Sequence, residues 1–590
     1  MTIDSGLSTR SGIKLPKGSG TGGGVVSGVF EQSDSMRPTI FGERWAIVGG
    51  HPIVSDVGAE ILRRGGNAVD AGVAAGFASN VVQVEMCNLG GIAPILVRAS
   101  GSSEVKAIAG VGTWGSRANL QEILSRYDGA MPLGGVPSIV PGALSGWLTA
   151  LSEFGTMALP DIMAPAIELA QEGFLLDPRT ASHIAAMSAG FKSWDSSMAV
   201  YQPEGVPLQA GERLRQPALA STLQRLSDAS TEAQADGASR ESAIEAAHAL
   251  FYSGDIAKSI CSFVNARGGY LDPSDLADFR AEVTSAPAVD FGGWRVHVTP
   301  TWSQGLVIAQ ALGVLELRGI RKLESTSLQF SHEVIEALKL AFSERERAYG
   351  DPRFTSETAA QLLHPDHLEA LAALVGDRAL PNTPTMPQGG VALPSTTAIV
   401  VVDADGTAFS SSPSDTIDGA PIIPELGILC SPRGVQSRLI PGHPNELKPG
   451  GRPCVTPSAV IALGVDDSIW AVACPGGDVI VQAIVQAMLQ YDVVGKSAQA
   501  AVEAPRLFGS SYPGAFHPHP VGESLVFVEA GLGEEVVAGL AERGHEIIDW
   551  PANEFDAGSV QTIISRLTPG GSRLLAAGAD SRRTAYAYAR

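Results

Sequence analysis

The stretch LPSTTAIVVVDADGTAFS, residues 393–410, places two threonines directly before a run of β-branched apolar residues. Such a run predicts a short strand that is buried on both faces. The Asp-Ala-Asp-Gly sequence at 403–406 predicts a tight turn, and a second strand follows it. Two hydroxyl groups therefore stand at the entrance to a core strand, and their chemistry decides how the rest of the chain is interpreted.

The segment before the threonines has a very different composition. Residues 377–395 contain four prolines and a Gly-Gly pair, and they end at Ser395. Proline cannot donate a backbone hydrogen bond and interrupts helices, so we expect this segment to be exposed and non-helical.

Thr396 is the first threonine of the pair, and it is a candidate nucleophile. A threonine hydroxyl needs a base beside it, and the α-amino group of the same residue supplies one once the preceding chain is removed. An irregular segment that ends at Ser395, followed by a rigid strand, meets both requirements. The alternative is an ordinary pair of strand threonines, because threonine is enriched in strands.

A second candidate element lies in SIWAVACPGGDVIVQAIVQAM, residues 468–488. It predicts an apolar strand, a Pro-Gly-Gly turn and a helix. Backbone N–H groups of Gly476 and Gly477 would then point outward at a helix N-terminus, where they could stabilise the oxyanion of acyl transfer. A simple strand-to-helix turn is the alternative interpretation.

Composition bounds the class of protein. The chain has 590 residues, of which 44% are hydrophobic and 17% charged, so it can bury a large core. A net charge of −21 argues against nucleic acid or an anionic membrane as a partner, because both would repel the chain. The five cysteines are odd in number and widely spaced, which favours reduced thiols over disulfides or a zinc site.

The chain is expected to be cytoplasmic, since residues 1–36 read as a flexible Gly-rich tail without the apolar core of a signal peptide. Beyond the tail, helical and strand-like segments alternate in blocks. This predicts an α+β protein with antiparallel sheets layered between helices. Long helices are predicted at 159–173, 328–350 and 479–493, and a helix of small residues is predicted to begin near Asn67.

Nine motifs, taken in order, resemble the γ-glutamyltranspeptidase family, and the resemblance extends from about residue 40 to the end. The motifs are GGNAVDAGVAAGF (65–77), NLGG (88–91), FGTMALPDIMAPAIELAQEGF (154–174), GGYLDPSDLADF (268–279), YGDPRF (349–354), TTAIVVVDADG (396–406), GILC (427–430), PGG (475–477) and GADSRR (578–583).

The resemblance implies an N-terminal-nucleophile hydrolase with a four-layer αββα sandwich, made as one precursor that cuts itself before the catalytic threonine. The bond Ser395–Thr396 would divide the chain into a large part, 37–395 with its tail, and a small part, 396–590. The nucleophile of the family maps onto Thr396 and its oxyanion glycines onto Gly476 and Gly477. A second hydroxyl, which belongs to a threonine in the family and hydrogen-bonds the nucleophile, maps onto Ser414. No cofactor or metal is implied.

The residues that grip a γ-glutamyl group in the family are replaced here. An arginine that holds the α-carboxylate maps near Val111, and a serine pair with the same task maps onto Pro453 and Cys454. An aspartate that meets the α-amino group maps onto Gln436. Arg433 could grip a different carboxylate, or it could be a surface arginine after a strand.

A site without these groups should reject a zwitterionic glutamyl head, because an unpaired buried charge is unfavourable by several kcal/mol. We therefore predict a self-cleaving amide hydrolase that acts on a small amide whose acyl part is not glutamate, as in relatives that hydrolyse oxamate-like or acylated β-lactam amides. Water or an amine would accept the acyl group. The alternatives are a genuine glutathione-handling transpeptidase with rearranged donor binding and a non-catalytic scaffold on the same fold.

Overall fold

Within the residues that the structure describes, two seven-stranded sheets form the centre of the fold. The structure is a computed structural model, and it describes residues 35–381, 395–521 and 525–590. Residues from Ser35 to Arg590 form one unit. The strands, in chain order, are β1 Ile40–Gly42, β2 Trp45–Gly49, β3 Ala93–Arg98, β4 Lys106–Gly110, β5 Phe174–Leu175, β6 Arg213–Leu214, β7 Val283–Ser285, β8 Ala288–Phe291, β9 Trp294–Val298, β10 Ile399–Asp403, β11 Ala408–Ser411, β12 Ala459–Gly464, β13 Ile469–Ala473, β14 Leu507–Gly509, β15 Leu525–Glu529, β16 Glu546–Trp550, β17 Gln561–Leu567, β18 Arg573–Ala579 and β19 Tyr586–Ala589.

The helices lie mainly on the outer faces of these sheets. They are α1 Pro52–Arg63, α2 Ala68–Val82, α3 Leu120–Arg126, α4 Ala143–Phe154, α5 Leu159–Glu172, α6 Pro178–Phe191, α7 Asp195–Tyr201, α8 Pro217–Ala235, α9 Arg240–Ser253, α10 Asp255–Asn265, α11 Pro273–Ala277, α12 Gly305–Leu317, α13 Leu328–Ala348, α14 Ala359–Leu362, α15 Pro365–Ala372, α16 Val479–Asp492, α17 Ala498–Glu503 and α18 Glu534–Glu542. Short 3₁₀ turns lie at Ile320–Lys322, Arg433–Gln436 and Phe555–Ala557.

Each large sheet contains strands from both sides of the Ser395–Thr396 bond. Sheet A has the order β1-β18-β17-β13-β12-β9-β8, and sheet B has the order β19-β2-β10-β11-β3-β4-β7. The strand pairs of both sheets are antiparallel. The two parts that self-cleavage would create are therefore interleaved in one fold and are not separate domains.

Three apolar layers give the fold its αββα order. One layer joins sheet B to helices that include α1, α2, α4, α5 and α8. The second lies between the two sheets, and the third joins sheet A to α12, α13 and α16. The four-layer sandwich predicted from the sequence is confirmed.

Strand β10 shows how the sequence specifies this layering. Ile399 and Val401 pack into the layer below α2, whereas Val400 and Val402 pack between the sheets. Successive side chains of a strand point to opposite faces, so a strand between two apolar layers needs apolar residues at every position. The continuous apolar run that follows Thr397 in the sequence therefore reflects the position of β10 between two apolar layers.

Most predicted elements are confirmed within one to three residues. Asn67 caps α2, where its side chain accepts from the N–H groups of Val69 and Asp70. The segment 377–395, predicted to be exposed and non-helical, is described only in part: residues 377–381 are non-helical, and Ser395 is buried, so the prediction of exposure is wrong at its end. Residues 382–394 lie outside the described residues, as does the tail up to residue 34. Of the helices described, none has the length and apolarity to cross a membrane.

Candidate active site

Thr396 and Thr397 lie immediately before β10, at the edge of the sandwich interior. Both are buried, and the strand proper begins three residues after Thr396. The N–H of Thr397 donates to the carbonyl of Pro413 (2.9 Å), and its hydroxyl donates to Gln83 Oε1 (2.7 Å). A Cβ placed on Gly50 would approach Thr397 Oγ1 to 2.0 Å, so this close passage of the chain requires glycine. Thr397, the neighbour of Thr396, is thus held by residues that follow β2, α2 and β11.

The hydroxyl of Thr396 lies in a small buried cluster of oxygen atoms. Its Oγ1 is 2.8 Å from Ser414 Oγ, and it also contacts the carbonyl oxygen of Ser395. Ser414 donates to that same carbonyl oxygen at 2.6 Å. Ser414 is held by paired backbone hydrogen bonds with Ile92 (2.9 and 3.1 Å). The structure therefore brings the predicted nucleophile, the predicted second hydroxyl and the predicted scissile bond together, in a chain that is continuous across that bond.

Arg433 completes this cluster from the 3₁₀ turn Arg433–Gln436. Its guanidinium is 1% exposed, and Nη2 lies 3.0 Å from the Ser395 carbonyl oxygen and 2.6 Å from Ser414 Oγ. Nε lies 3.4 Å from Asp415 Oδ1, and the guanidinium stacks over the ring of Phe516 at 5.2 Å. The surface-arginine interpretation is wrong, since the side chain points into the core beside the nucleophile.

The Pro-Gly-Gly turn connects β13 to α16 as predicted. Gly476 and Gly477 have φ values of +140° and +66°, a conformation that side-chain-bearing residues rarely adopt. Within the described part of the chain, neither N–H group donates a hydrogen bond. Pro475 lines the same cavity as Thr396. The turn that carries these two free backbone donors, at a helix N-terminus, therefore borders the cavity of the nucleophile through Pro475.

A cavity of about 20 Å³ beside Thr396 has polar walls that the sequence did not reveal. Its lining residues include Gln83, Glu85, His183 and Arg583. Three of these carry a buried polar atom without a hydrogen-bond partner among the described residues: Glu85 Oε2, His183 Nδ1 and Arg583 Nη1. The sequence did offer one signal for Glu85: an acidic residue within the largely apolar stretch VVQVEMC, residues 81–87, indicates a buried polar group.

Comparison with known proteins agrees with this geometry. Residues 54–589 match the family described as Gamma-glutamyltranspeptidase. The chain belongs to the γ-glutamyltranspeptidase family. It is therefore an enzyme of a family of hydrolases and transferases with the N-terminal-nucleophile fold.

Individual relatives carry two kinds of name. The chain is 27% identical over 558 residues to the glutathione hydrolase proenzyme of Bacillus subtilis (strain 168), covering 90% of this chain and 89% of that protein. It is 29% identical over 523 residues to the acylase ACY 1 proenzyme of Pseudomonas sp. (strain V22), covering 86% and 88%. The crystal structure of cephalosporin acylase from Bacillus halodurans superposes with a TM-score of 0.82 at 26% identity, covering 94% of this chain and 97% of that one.

Val111, Gln436 and Cys454, three of the positions where the family's glutamyl-binding groups map, do not line the cavity of Thr396. Gln436 and Cys454 line a different small cavity, and Asn445 bridges them by contacting the Gln436 carbonyl (2.8 Å) and the Cys454 N–H (2.8 Å). Val111 is buried between the sheets, and its carbonyl accepts from Arg452 Nε (2.9 Å). The role of these three residues in substrate binding stays a prediction.

Cys454 packs as a small buried residue. Burial raises the pKa of its thiol to about 12, so it stays protonated and unreactive at neutral pH. The buried Gln436 donates only a long hydrogen bond, 3.4 Å, to Thr456, and its Oε1 has no partner in the described chain. Gln436 therefore keeps a free acceptor.

One group of described residues could hold a metal ion by distance alone. His332, Glu336 and His545 are buried with their ligand atoms within 4.8 Å of one another. Lys339 Nζ already lies 3.0 Å from Glu336, and His332 and His545 contact each other at 3.1 Å. The nearby lysine opposes a cation, and these contacts account for the cluster as an internal polar network.

The cavity beside Thr396 contains a carboxyl group with a raised pKa, that of Glu85. Burial raises the pKa of its carboxyl to about 7, while Thr180 donates a hydrogen bond to one oxygen (3.2 Å) and Asp177 adds a like charge nearby. The protonated form is therefore favoured in the folded protein. Its stabilising contribution is complete below the unfolded pKa and is lost as pH rises through about 7.

The variant Glu85→Gln tests this linkage. A rise from the ordinary value of 4.5 to about 7 corresponds to about 3 kcal/mol. The variant should match wild type at pH 4 and be more stable at pH 8 by up to this amount, since it has no proton to lose. Urea unfolding at both values measures the difference. The control Glu60→Gln, at an exposed position, should leave the free energy of unfolding unchanged at both pH values. Equal pH dependence of stability in wild type and Glu85→Gln would contradict the raised pKa of Glu85.

Proposed function

We infer that this chain is a self-cleaving amide hydrolase whose nucleophile is Thr396. The observation that carries this inference is the cluster in which Thr396 Oγ1, Ser414 Oγ and the carbonyl of Ser395 meet at the start of a rigid core strand. Few other folding needs would bury three hydroxyl-bearing residues against one peptide bond. Proenzyme relatives of both kinds support a cleaved mature form.

Self-cleavage would proceed by an acyl shift. Thr396 Oγ1 attacks the carbonyl carbon of Ser395, the C–N bond breaks, and the nitrogen receives the hydroxyl proton. Water then hydrolyses the ester, which leaves a carboxylate on Ser395 and a free α-amino group on Thr396. Ser414 can orient the attacking hydroxyl and donate to the carbonyl oxygen as it becomes negative, because its own hydroxyl contacts both atoms.

Turnover would use the freed amine as the base. The amine takes the proton of Thr396 Oγ1, which attacks the substrate's amide carbonyl and expels the amine product. The N–H groups of Gly476 and Gly477 are free to meet the oxyanion. Water, or an amine acceptor, then releases the acyl group from the threonine. Neither step uses a metal or an organic cofactor.

We propose that the acyl group is not γ-glutamyl. Val111, Gln436 and Cys454 stand where the family's charged and hydroxyl groups would bind the glutamyl head, and none of them carries a charge. A carboxylate without an amino group suits the remaining groups better, because Arg433 offers a buried cation close to Thr396. The name of the acylase relative supports an acyl amide as the substrate class.

Glutathione hydrolysis is the second candidate, since the relative from Bacillus subtilis carries that name. It requires a different set of residues to hold the α-amino and α-carboxylate groups. A matched pair of substrates separates the two candidates. A glutaryl anilide keeps the carboxylate of a γ-glutamyl anilide and lacks only its α-amino group.

One preparation of the purified protein tests the proposal. Denaturing electrophoresis should show chains of 395 and 195 residues, and Edman sequencing of the smaller one should begin at Thr396. The kcat/KM for the glutaryl anilide should then be about tenfold higher, or more, than that for the γ-glutamyl anilide. The α-amino group of the γ-glutamyl anilide would lack an anionic partner in this site, which is unfavourable by more than about 1.4 kcal/mol. The reverse ranking would favour glutathione hydrolysis, and an uncut active protein would refute self-cleavage.

A further inference from the structure

The carbonyl oxygen of Ser395 has its own set of hydrogen-bond donors. In the uncut chain it receives hydrogen bonds from Ser414 Oγ (2.6 Å) and Arg433 Nη2 (3.0 Å), and Thr396 Oγ1 also contacts it. None of its donors among the described residues comes from Gly476 or Gly477. The oxygen that would become negative during self-cleavage therefore faces a guanidinium and not the glycine turn.

In the uncut chain the side chain of Arg433 is directed at Ser395. It is fully buried, and its Nη2 also lies 3.2 Å from Ser395 Oγ, so one nitrogen contacts both polar groups of that residue. Its Nε and Nη1 atoms have no hydrogen-bond partner within the described ranges. The acid beside it, Asp415, lies at 3.4 Å from Nε, and burial raises the pKa of that carboxyl. Arg433 thus has one buried carboxyl group on its Nε side, and its Nη2 faces the scissile carbonyl.

We propose that Arg433 is a catalytic residue of self-cleavage, which stabilises the oxyanion formed on the Ser395 carbonyl. Thr396 Oγ1 bonds to the carbonyl carbon, and the π electrons of C=O move to the oxygen, which faces Arg433 Nη2. The C–N bond breaks as the oxygen re-forms C=O, and the nitrogen keeps its bonding pair and takes the proton of the hydroxyl. The result is an ester, and no oxidant, reductant or other reactant is needed.

The two reactions of this enzyme would then use two oxyanion sites. Self-cleavage uses Arg433 and Ser414, whereas turnover uses the glycine turn 475–477. A buried cation aimed at a developing negative charge needs no reorganisation, which is the condition under which such groups contribute most. The inference rests on the proposed function, because it assigns a role within the same self-cleavage.

The test follows the cutting of freshly synthesised chains by electrophoresis. Arg433→Ala should slow the appearance of the 195-residue chain by about 10²- to 10³-fold, the usual loss when an oxyanion donor is removed. Added guanidinium ion at a sub-denaturing concentration should restore at least part of the rate, because it can occupy the space left by the side chain. Arg433→Lys keeps the charge but not the planar fork, and it should cut at an intermediate rate.

A matched control is Arg98→Ala, which removes another buried arginine, one that contacts Asp467 and the Gly406 carbonyl. It should cut like wild type and show no guanidinium rescue. If Arg433→Ala does not fold, Arg433→Lys carries the test. Wild-type cutting rates in a folded Arg433 variant would overturn the inference and leave the proposed function intact. A wild-type chain that is never cut would overturn the proposed function itself.

Discussion

Replacing Thr396 by alanine should leave a single chain of 590 residues that has no amidase activity. The variant lacks the oxygen that attacks the Ser395 carbonyl, and without cleavage it also lacks the free amine that serves as base. Removing the nucleophile of comparable hydrolases lowers the rate by about 10⁴-fold or more, so the loss should be complete in an ordinary assay. Electrophoresis and hydrolysis of the glutaryl anilide measure both consequences.

The fold of this variant should survive. Thr396 is buried and loses two hydroxyl contacts, which corresponds to about 1–2 kcal/mol and not to global unfolding. Thermal unfolding checks this. Thr396→Ser is the matched control, since it keeps the hydroxyl and should still be cut at the same bond. Scission of Thr396→Ala between residues 395 and 396 would show that the hydroxyl is not the attacking group.

The central layers were predictable because their sequence signals are local. Strand β10 is apolar from Ile399 to Val402, where both of its faces are covered, and α2 begins after a capping residue, Asn67, that is recognisable in the sequence. The Pro-Gly-Gly turn was equally predictable from the sequence, because the two successive glycines stand where both φ angles are positive. Signals of this kind do not depend on distant parts of the chain.

For Arg433 the sequence left two alternatives, a residue that grips a carboxylate and a surface residue after a strand. Nothing near it in sequence indicates whether a residue after Ser431 and Pro432 faces water or the core. The structure decides this through partners that lie 19 and 38 positions earlier in the chain, Ser414 and Ser395. Resemblance to the family located the region of the pocket, and the three-dimensional contacts supplied the role.

The polar wall beside Thr396 could not be predicted, because its members come from separate elements. Glu85 follows α2, His183 lies on α6 and Arg583 precedes β19, and only the folded chain assembles them. His519 shows a related limit. The alternating prolines of HPHP, residues 517–520, predict an extended surface loop, but His519 is 3% exposed and contacts Arg438. Periodicity and turn signals do not report how a loop packs.

Ser414→Ala should impair both self-cleavage and turnover. Ser414 contacts the attacking oxygen, the scissile carbonyl oxygen and Arg433 Nη2, so its hydroxyl is in position to orient the nucleophile and to donate to the carbonyl oxygen as it becomes negative. We expect each rate to fall by about 10²-fold, in the range for loss of one positioned donor. The change in turnover should appear in kcat, because the contact with Thr396 matters most while the new bond forms.

Ser414→Thr is the matched control, since it retains the hydroxyl in the form that the family resemblance assigns to this position. It should be cut and should keep most of its kcat. The contrast with Arg433 is the sharper test, because Arg433 contacts the carbonyl oxygen and Ser414 but not Thr396 Oγ1. Losing Arg433 should slow cutting and, once cutting is complete, raise KM for the glutaryl anilide, whereas losing Ser414 should lower kcat. If Ser414→Ala, once cut, keeps the wild-type kcat, Ser414 acts only on the precursor and the amine of Thr396 needs no second hydroxyl.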